Sequence, residues 1–153
     1  MIKIVDVIFT NFLNANDRIY DIMTCEEIIK QYKEKMEQMG VVYGELGHPD
    51  NQKKLLKFKH NISTTKISHT IKDLWLESGV LKAEIKILNT HNGKILKKMI
   101  DDMVFSSRSA GTIDPVTKKV SVKKFITIDA IDFKDDAFYQ RRLREKKLKR
   151  ILK

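Results

Sequence analysis

Residues 67–87 read ISHTIKDLWLESGVLKAEIKI, and this stretch decides the fold class. Leu81, Ala83, Ile85 and Ile87 alternate strictly with Lys82, Glu84 and Lys86, the period of a strand with one face buried and the other in water. Ser78-Gly79 supplies a two-residue turn, so Ile67 to Glu77 and the residues that follow pair as an antiparallel hairpin. The apolar face of such a hairpin must be covered by helices or by further strands.

Downstream, Asn92-Gly93 reads as the break after the second hairpin strand, and Ile95, Leu96, Met99, Ile100 and Met103 have the spacing of a short amphipathic helix. Val104 to Ile113 and Val120 to Phe133 read as two more strands, joined through Asp114-Pro115 and the polar Thr117-Lys118-Lys119 turn. Asp135 and Asp136 precede a last helical segment. Upstream, residues 2–9 carry apolar groups on both faces, which predicts a central, well-buried strand. Thr24 and Glu27 form a capping box that starts a helix at about Cys25. Its inward stripe is Ile28, Ile29, Tyr32, Met36 and Met39, and Gly40 suits the left-handed position after its end. Val41 to Tyr43 then restart extended chain into Gly44-Glu45-Leu46-Gly47-His48-Pro49, which places His48 at a strand end. Asp50 to Lys66 is polar and reads as a loop, with a helical turn around Leu55 and Leu56.

With 153 residues, 42% of them hydrophobic, the chain suffices for one compact domain with its own core and is too short for two. Its longest apolar runs, such as Ile4 to Phe9, are broken by charge and fall far below the roughly 20 residues of a bilayer span, so no membrane segment is expected. The start of the chain reads as a first strand rather than a signal peptide. Cys25 is the only cysteine, which excludes an internal disulfide and a multi-thiolate zinc site and fits a reducing compartment. The formal charge is +10, but residues 141–153 hold eight Lys or Arg against Glu145, giving +7 for the tail and +3 for everything before it. The basicity belongs mostly to the tail, which suits nucleic acid or an acidic protein, and charge alone does not choose between them.

Three residues could carry chemistry: His48 after its glycine-rich strand end, Ser106 within Val104-Phe105-Ser106-Ser107-Arg108-Ser109-Ala110-Gly111, and Asp129 within an apolar strand. A serine nucleophile needs a base in hydrogen-bond reach and a third group that orients the base, and the three can be distant in sequence. Each also has a structural explanation: a capping histidine beside proline, a polar strand end, and a buried carboxylate held by a cation or by backbone donors. His60, His69 and His91 show no metal-ligand spacing with one another or with Cys25, and no phosphate-binding glycine loop is present, so neither metal nor cofactor is expected. The aromatic residues lie in apolar patterns and read as core. Composition and spacing leave the function open.

The ordered set of segments resembles the prohead proteases of T-even-like tailed phages over roughly residues 7–137. The matching segments are Asn14-x-Asn16-x-Arg18-x-Tyr20 with the helix after it, Gly44-Glu45-Leu46-x-His48-Pro49, Asp73-Leu74-Trp75, Ser106-Ser107-Arg108 and Ile128-Asp129-Ala130-Ile131. The resemblance implies an assemblin-like α+β fold, a small and mostly antiparallel β-barrel flanked by helices. In this chain that means a protease domain over 1–138 and a basic helical tail over 139–153. It implies a serine endopeptidase with Ser106 as nucleophile, His48 as general base and Asp129 as third member. Ser107 and Arg108 then support the site, with backbone N–H groups near Arg108 facing the oxyanion and the Arg108 charge expected to add to them. Relatives often have glycine directly after Ser-Ser-Arg, whereas here Ser109 and Ala110 intervene before Gly111.

The implied substrates are the scaffold and major capsid proteins, cleaved inside the assembling prohead in the host cytoplasm. A homo-oligomer and nucleic-acid contact through the tail stay open, and no membrane is involved. Leu143-Arg144-Glu145 resembles the family's hydrophobic-x-Glu cleavage pattern, so self-processing could release the last eight residues, although Lys146 departs from the small residue usual after the cut. The rival reading is an inactive capsid-interior protein that holds scaffold or DNA through its basic tail and the Lys53 to Lys59 loop.

Overall fold

The computed structural model describes residues 1–14, 17–47 and 62–132. Their elements run β1 (Ile2–Phe9), α1 (Ile22–Met39), β2 (Tyr43–Glu45), β3 (Ile67–Glu77), β4 (Val80–Ile87), α2 (His91–Met99), a 3-10 turn (Ile100–Asp102), β5 (Met103–Ile113) and β6 (Val120–Asp132). The hairpin forms as the alternation predicts. Glu77 pairs with Val80, and Ser78 and Gly79 take positive φ values of 51° and 76°, as a two-residue turn between twisted strands requires.

The strand order β1-β4-β3-β2 makes one antiparallel sheet, and β5 and β6 form a separate two-stranded ribbon. β1 is therefore an edge strand, not a central one, with Ile2 and Ile4 each 60% exposed. The register of β1 on β4 shifts between Asp6 and Ile8, so Val7 is an extra residue and both Val7 and Ile8 turn inward. That β-bulge produces the apolar run on both faces that mimics a central strand.

A closed barrel does not form among the described residues. β1 packs beside β5, but the two exchange no ladder, whereas closure needs continuous, staggered pairing all the way round. The ribbon instead shifts register twice, between Arg108 and Ser109 and between Ala110 and Gly111, and its far end pairs only with itself before docking on the chain that leads into α1. Among the described residues one backbone bridge joins the two sheets. Leu46, just past β2, makes a parallel bridge to Ala130 of β6.

α1 begins one turn earlier than the capping box implies. Asp21 is the cap, accepting from the Thr24 N–H at 2.8 Å, and this bond holds the Asp21 carboxyl below its usual range. Thr24 lies inside the helix, where its hydroxyl donates to the Val120 carbonyl at 2.9 Å. The buried face is Thr24, Cys25, Ile28 and Tyr32, with Ile29 and Met36 partly buried, while Met39 is exposed at the end of the stripe. Burial pushes the Cys25 thiol up to about 12, which makes it an inert core group.

α1 also covers the edge of β6. Gln31 accepts from the Phe125 N–H at 2.6 Å and donates to the Lys123 carbonyl at 3.2 Å, taking the place of a strand partner. Lys35 donates to the Ile126 carbonyl at 2.7 Å. α2 starts at His91 under a Thr90 cap, so Asn92-Gly93 lies in its first turn and β4 has already ended at Ile87. The helix stops at Met99, ahead of the 3-10 turn, and Met103 already belongs to β5.

The core gathers Ile28, Tyr32, Ile71, Leu74, Leu81, Ile85, Leu96, Phe105, Phe125 and Ile128 between the two sheets and α1. No helix among the described residues is long and apolar enough to cross a membrane. Of the loop expected over Asp50 to Lys66, residues 62–66 are described and carry neither helix nor strand, whereas its turn at Leu55 and Leu56, the domain end at 138, the helical tail at 139–153 and the cut after Glu145 lie outside the described residues.

Candidate active site

The β5–β6 register sets the geometry: Phe105 faces Ala130, Ser106 faces Asp129, Ser107 faces Ile128 and Arg108 faces Thr127. Directly opposed residues of an antiparallel pair share a face, and successive residues alternate. Ser106, Arg108, Asp129 and Thr127 therefore lie on one face, and Ser107 lies on the other with Phe105, Ile128 and Ala130, which belong to the apolar core. Both serines are half-buried.

Asp129 is fully buried, as its apolar neighbours in sequence imply, and its carboxylate is gripped from the opposing strand. Arg108 donates from Nε to Oδ2 and from Nη2 to Oδ1, both at 2.8 Å, a bidentate pair that the planar guanidinium fork makes and a lysine cannot. The same Nη2 donates to Oε2 of Glu45. Glu45 is 3% exposed, its Oε1 accepts from the Ser63 N–H at 3.1 Å, and its own N–H donates to Asp129 Oδ1 at 3.2 Å. Burial works against the Arg108 charge, but the bonds to Asp129 and Glu45 outweigh it and hold the guanidinium above its ordinary range. The Arg108 side chain is thus committed between two carboxylates, away from solvent.

A second buried polar pair lies beside this cluster. His69 of β3 and Ser68 are both fully buried. The ring sits 2.9 Å from the Ile128 carbonyl through Nε2 and 2.8 Å from the Ser68 hydroxyl through Nδ1. A carbonyl only accepts, so Nε2 carries the proton and Nδ1 accepts from Ser68. Burial pushes this histidine down to about 4, against the opposing pull of the Ile128 bond and the Asp129 charge. The ring is neutral at neutral pH and closed to any substrate, so the Ser68–His69 pair is core hydrogen bonding. It reaches Ile128 across β2 because position 44 is glycine: a Cβ there would lie 2.1 Å from His69 Nε2 and 2.3 Å from the Ile128 carbonyl oxygen.

His48 lies outside the described residues. The chain before it ends at Gly47, whose N–H donates to the Ala130 carbonyl at 2.7 Å, one position along β6 from Asp129. Among the residues singled out from sequence, the structure brings Ser106, Arg108 and Asp129 onto one face and turns Ser107 away.

The sequence reading missed Glu45 and His69. Glu45 lies inside the Gly-Glu-Leu-x-His-Pro segment, as a charge between a glycine and a leucine. Arg108 is the only arginine between Arg18 and Arg141 in a chain that otherwise uses lysine there, a signal that a planar fork is required. His69 gives no such signal, because its role depends on a carbonyl 59 residues away. Among the described residues no group of His, Cys, Asp and Glu could hold a metal ion.

A search of curated proteins found none that matches. Among solved structures, the fold is similar to the bacteriophage T4 capsid assembly protease gp21, with a TM-score of 0.67 at 19% identity, over 85% of this chain and 80% of that one. Residues 9–135, from the end of β1 to just past β6, match the model of the Peptidase S80 family, and the chain belongs to that family.

Proposed function

We propose that this chain is a serine endopeptidase that cleaves scaffold and major capsid propeptides during phage prohead maturation, acting inside the assembling prohead. Membership of a peptidase family and the fold shared with a phage capsid assembly protease support that setting. The observation that carries the reading is the pairing of Ser106 with Asp129 on the polar face of the β5–β6 ribbon, where Ser107 is excluded.

In this reading His48, directly after Gly47 in the chain, takes the proton of Ser106 Oγ as that oxygen bonds to the scissile carbonyl carbon. The imidazolium returns the proton to the leaving amine, and water then releases the acyl group by the same steps in reverse. Asp129, locked by Arg108, orients the imidazole. The Arg108 side chain serves that lock, and the oxyanion is met by backbone N–H groups. Incubating the protein with scaffold and capsid protein of its own phage tests the reading: Ser106→Ala should stop cleavage, and cleavage at the original rate in that variant overturns it.

A further inference from the structure

We infer that Glu45 is a positioning residue for this chemistry, tying the strand end that leads to His48 onto the strand that carries Ser106. The inference rests on the function proposed above. Glu45 is the last residue of β2 and stands where the chain changes partners. The β2–β3 register shifts between Gly44 and Glu45, and the two following N–H groups go to Lys66 and to Ala130 of β6.

At that crossing Glu45 makes three bonds to three separate pieces of chain. Oε2 accepts from Arg108 of β5, Oε1 accepts from the Ser63 N–H at 3.1 Å, and its own N–H reaches Asp129 of β6 at 3.2 Å. Both sides of the 48–61 segment, Glu45 before it and Ser63 after it, are held by this one side chain. Neutralising Arg108 does not require it, because Asp129 already makes the bidentate pair. Burying a second carboxylate is costly, and an apolar residue of the same size would satisfy packing alone. What a carboxylate adds is a fixed distance between the His48 end of β2, the Ser106 strand and the returning chain.

The test uses the full chain and diisopropyl fluorophosphate, with the adduct located by mass spectrometry and its rate followed between about pH 5 and pH 9. Wild type should be labelled at Ser106; absence of labelling there overturns the proposed function, in the wild-type arm alone. Given that labelling, Glu45→Gln should slow it by at least about tenfold, the scale on which small misplacements act. It should also move the pH midpoint of the rate downward, because a negative charge three residues from the base in the chain has been removed. Glu45→Asp should recover part of the rate. Labelling of Glu45→Gln at the wild-type rate with the wild-type midpoint overturns the inference and leaves the function standing. If Glu45→Gln does not unfold cooperatively, Ser63→Pro, which removes the N–H held by Oε1 together with the hydroxyl that bonds Thr65, takes its place beside Ser63→Ala, which removes the hydroxyl alone: a slower rate in Ser63→Pro than in Ser63→Ala supports the inference and equal rates overturn it.

Discussion

Ser106 stands directly opposite Asp129 in the β5–β6 ladder, and the guanidinium two residues further along β5 reaches back to hold that carboxylate in two bonds of 2.8 Å. One strand thus supplies both the Ser106 hydroxyl and the clamp on the Asp129 carboxylate. Ser107, one residue away, faces the core side with Ile128.

This alternation separates two otherwise similar substitutions. Ser106→Ala is expected to abolish cleavage of the cognate scaffold with a melting temperature within a few degrees of wild type, because a half-buried hydroxyl contributes little to stability. Ser107→Ala is expected to keep most of the activity. Gel assays of both variants decide the matter, and the reverse pattern would place the nucleophile at Ser107.

Arg108 should dominate the stability of the ribbon. Its partners Glu45 and Asp129 are 3% and 0% exposed, so Arg108→Met leaves two buried carboxylates without their shared cation, a loss of about 3–5 kcal/mol. Arg108→Lys retains the charge but not the fork and should fall between. Neutralising both partners, with Glu45→Gln and Asp129→Asn in the Arg108→Met background, should recover part of the loss. Urea unfolding of these variants, of wild type and of Glu45→Gln/Asp129→Asn with Arg108 intact measures this, and additive losses would contradict a shared cluster.

These features were unequally legible in the sequence. The hairpin could be read because its period and its Ser78-Gly79 turn are local, and the burial of Asp129 followed from its apolar neighbours. The edge position of β1 was hidden by the bulge at Val7, since a register slip leaves no local mark. Thr24 and Asp21 are both good caps. The choice between them was settled by the Val120 carbonyl, which draws Thr24 into the helix from 96 residues away. The site had the same limit: Asp129 announced that it needed a partner, but the parallel bridge that delivers Glu45 to Arg108 exists only once β2 lies against β6.

His69 makes stability depend on pH. The unfolded chain takes up its proton near the ordinary value of 6.5 and the folded chain only at about 4, so the unfolded state binds more protons between these values. The contribution is fully present above pH 6.5 and is lost as the pH falls toward 4, by an amount on the order of 3 kcal/mol. His69→Gln, which cannot ionise, should be less stable at neutral pH yet lose less on acidification. Urea midpoints at about pH 7.5 and about pH 4.5 test this, and an equal loss in both proteins would assign the acid sensitivity elsewhere.

Gly44 is the position where the two polar clusters depend on one missing side chain. β2 passes between His69 and the Ile128 carbonyl, and a Cβ at 2.1 Å from the ring nitrogen and 2.3 Å from the oxygen cannot be absorbed by a flexible group, because one neighbour is backbone and the other a buried ring. Gly44→Ala must therefore push β2 away from β6 or break the His69–Ile128 bond, at about 1–3 kcal/mol or more for an overpacked core. The next residue is Glu45, so the displacement passes into its bonds with Arg108 and Ser63. The variant should then lose stability and slow the labelling of Ser106 by diisopropyl fluorophosphate together. Stability lost with the labelling rate intact would show that β2 can shift without moving the site, and that the Gly44 contact serves the core alone.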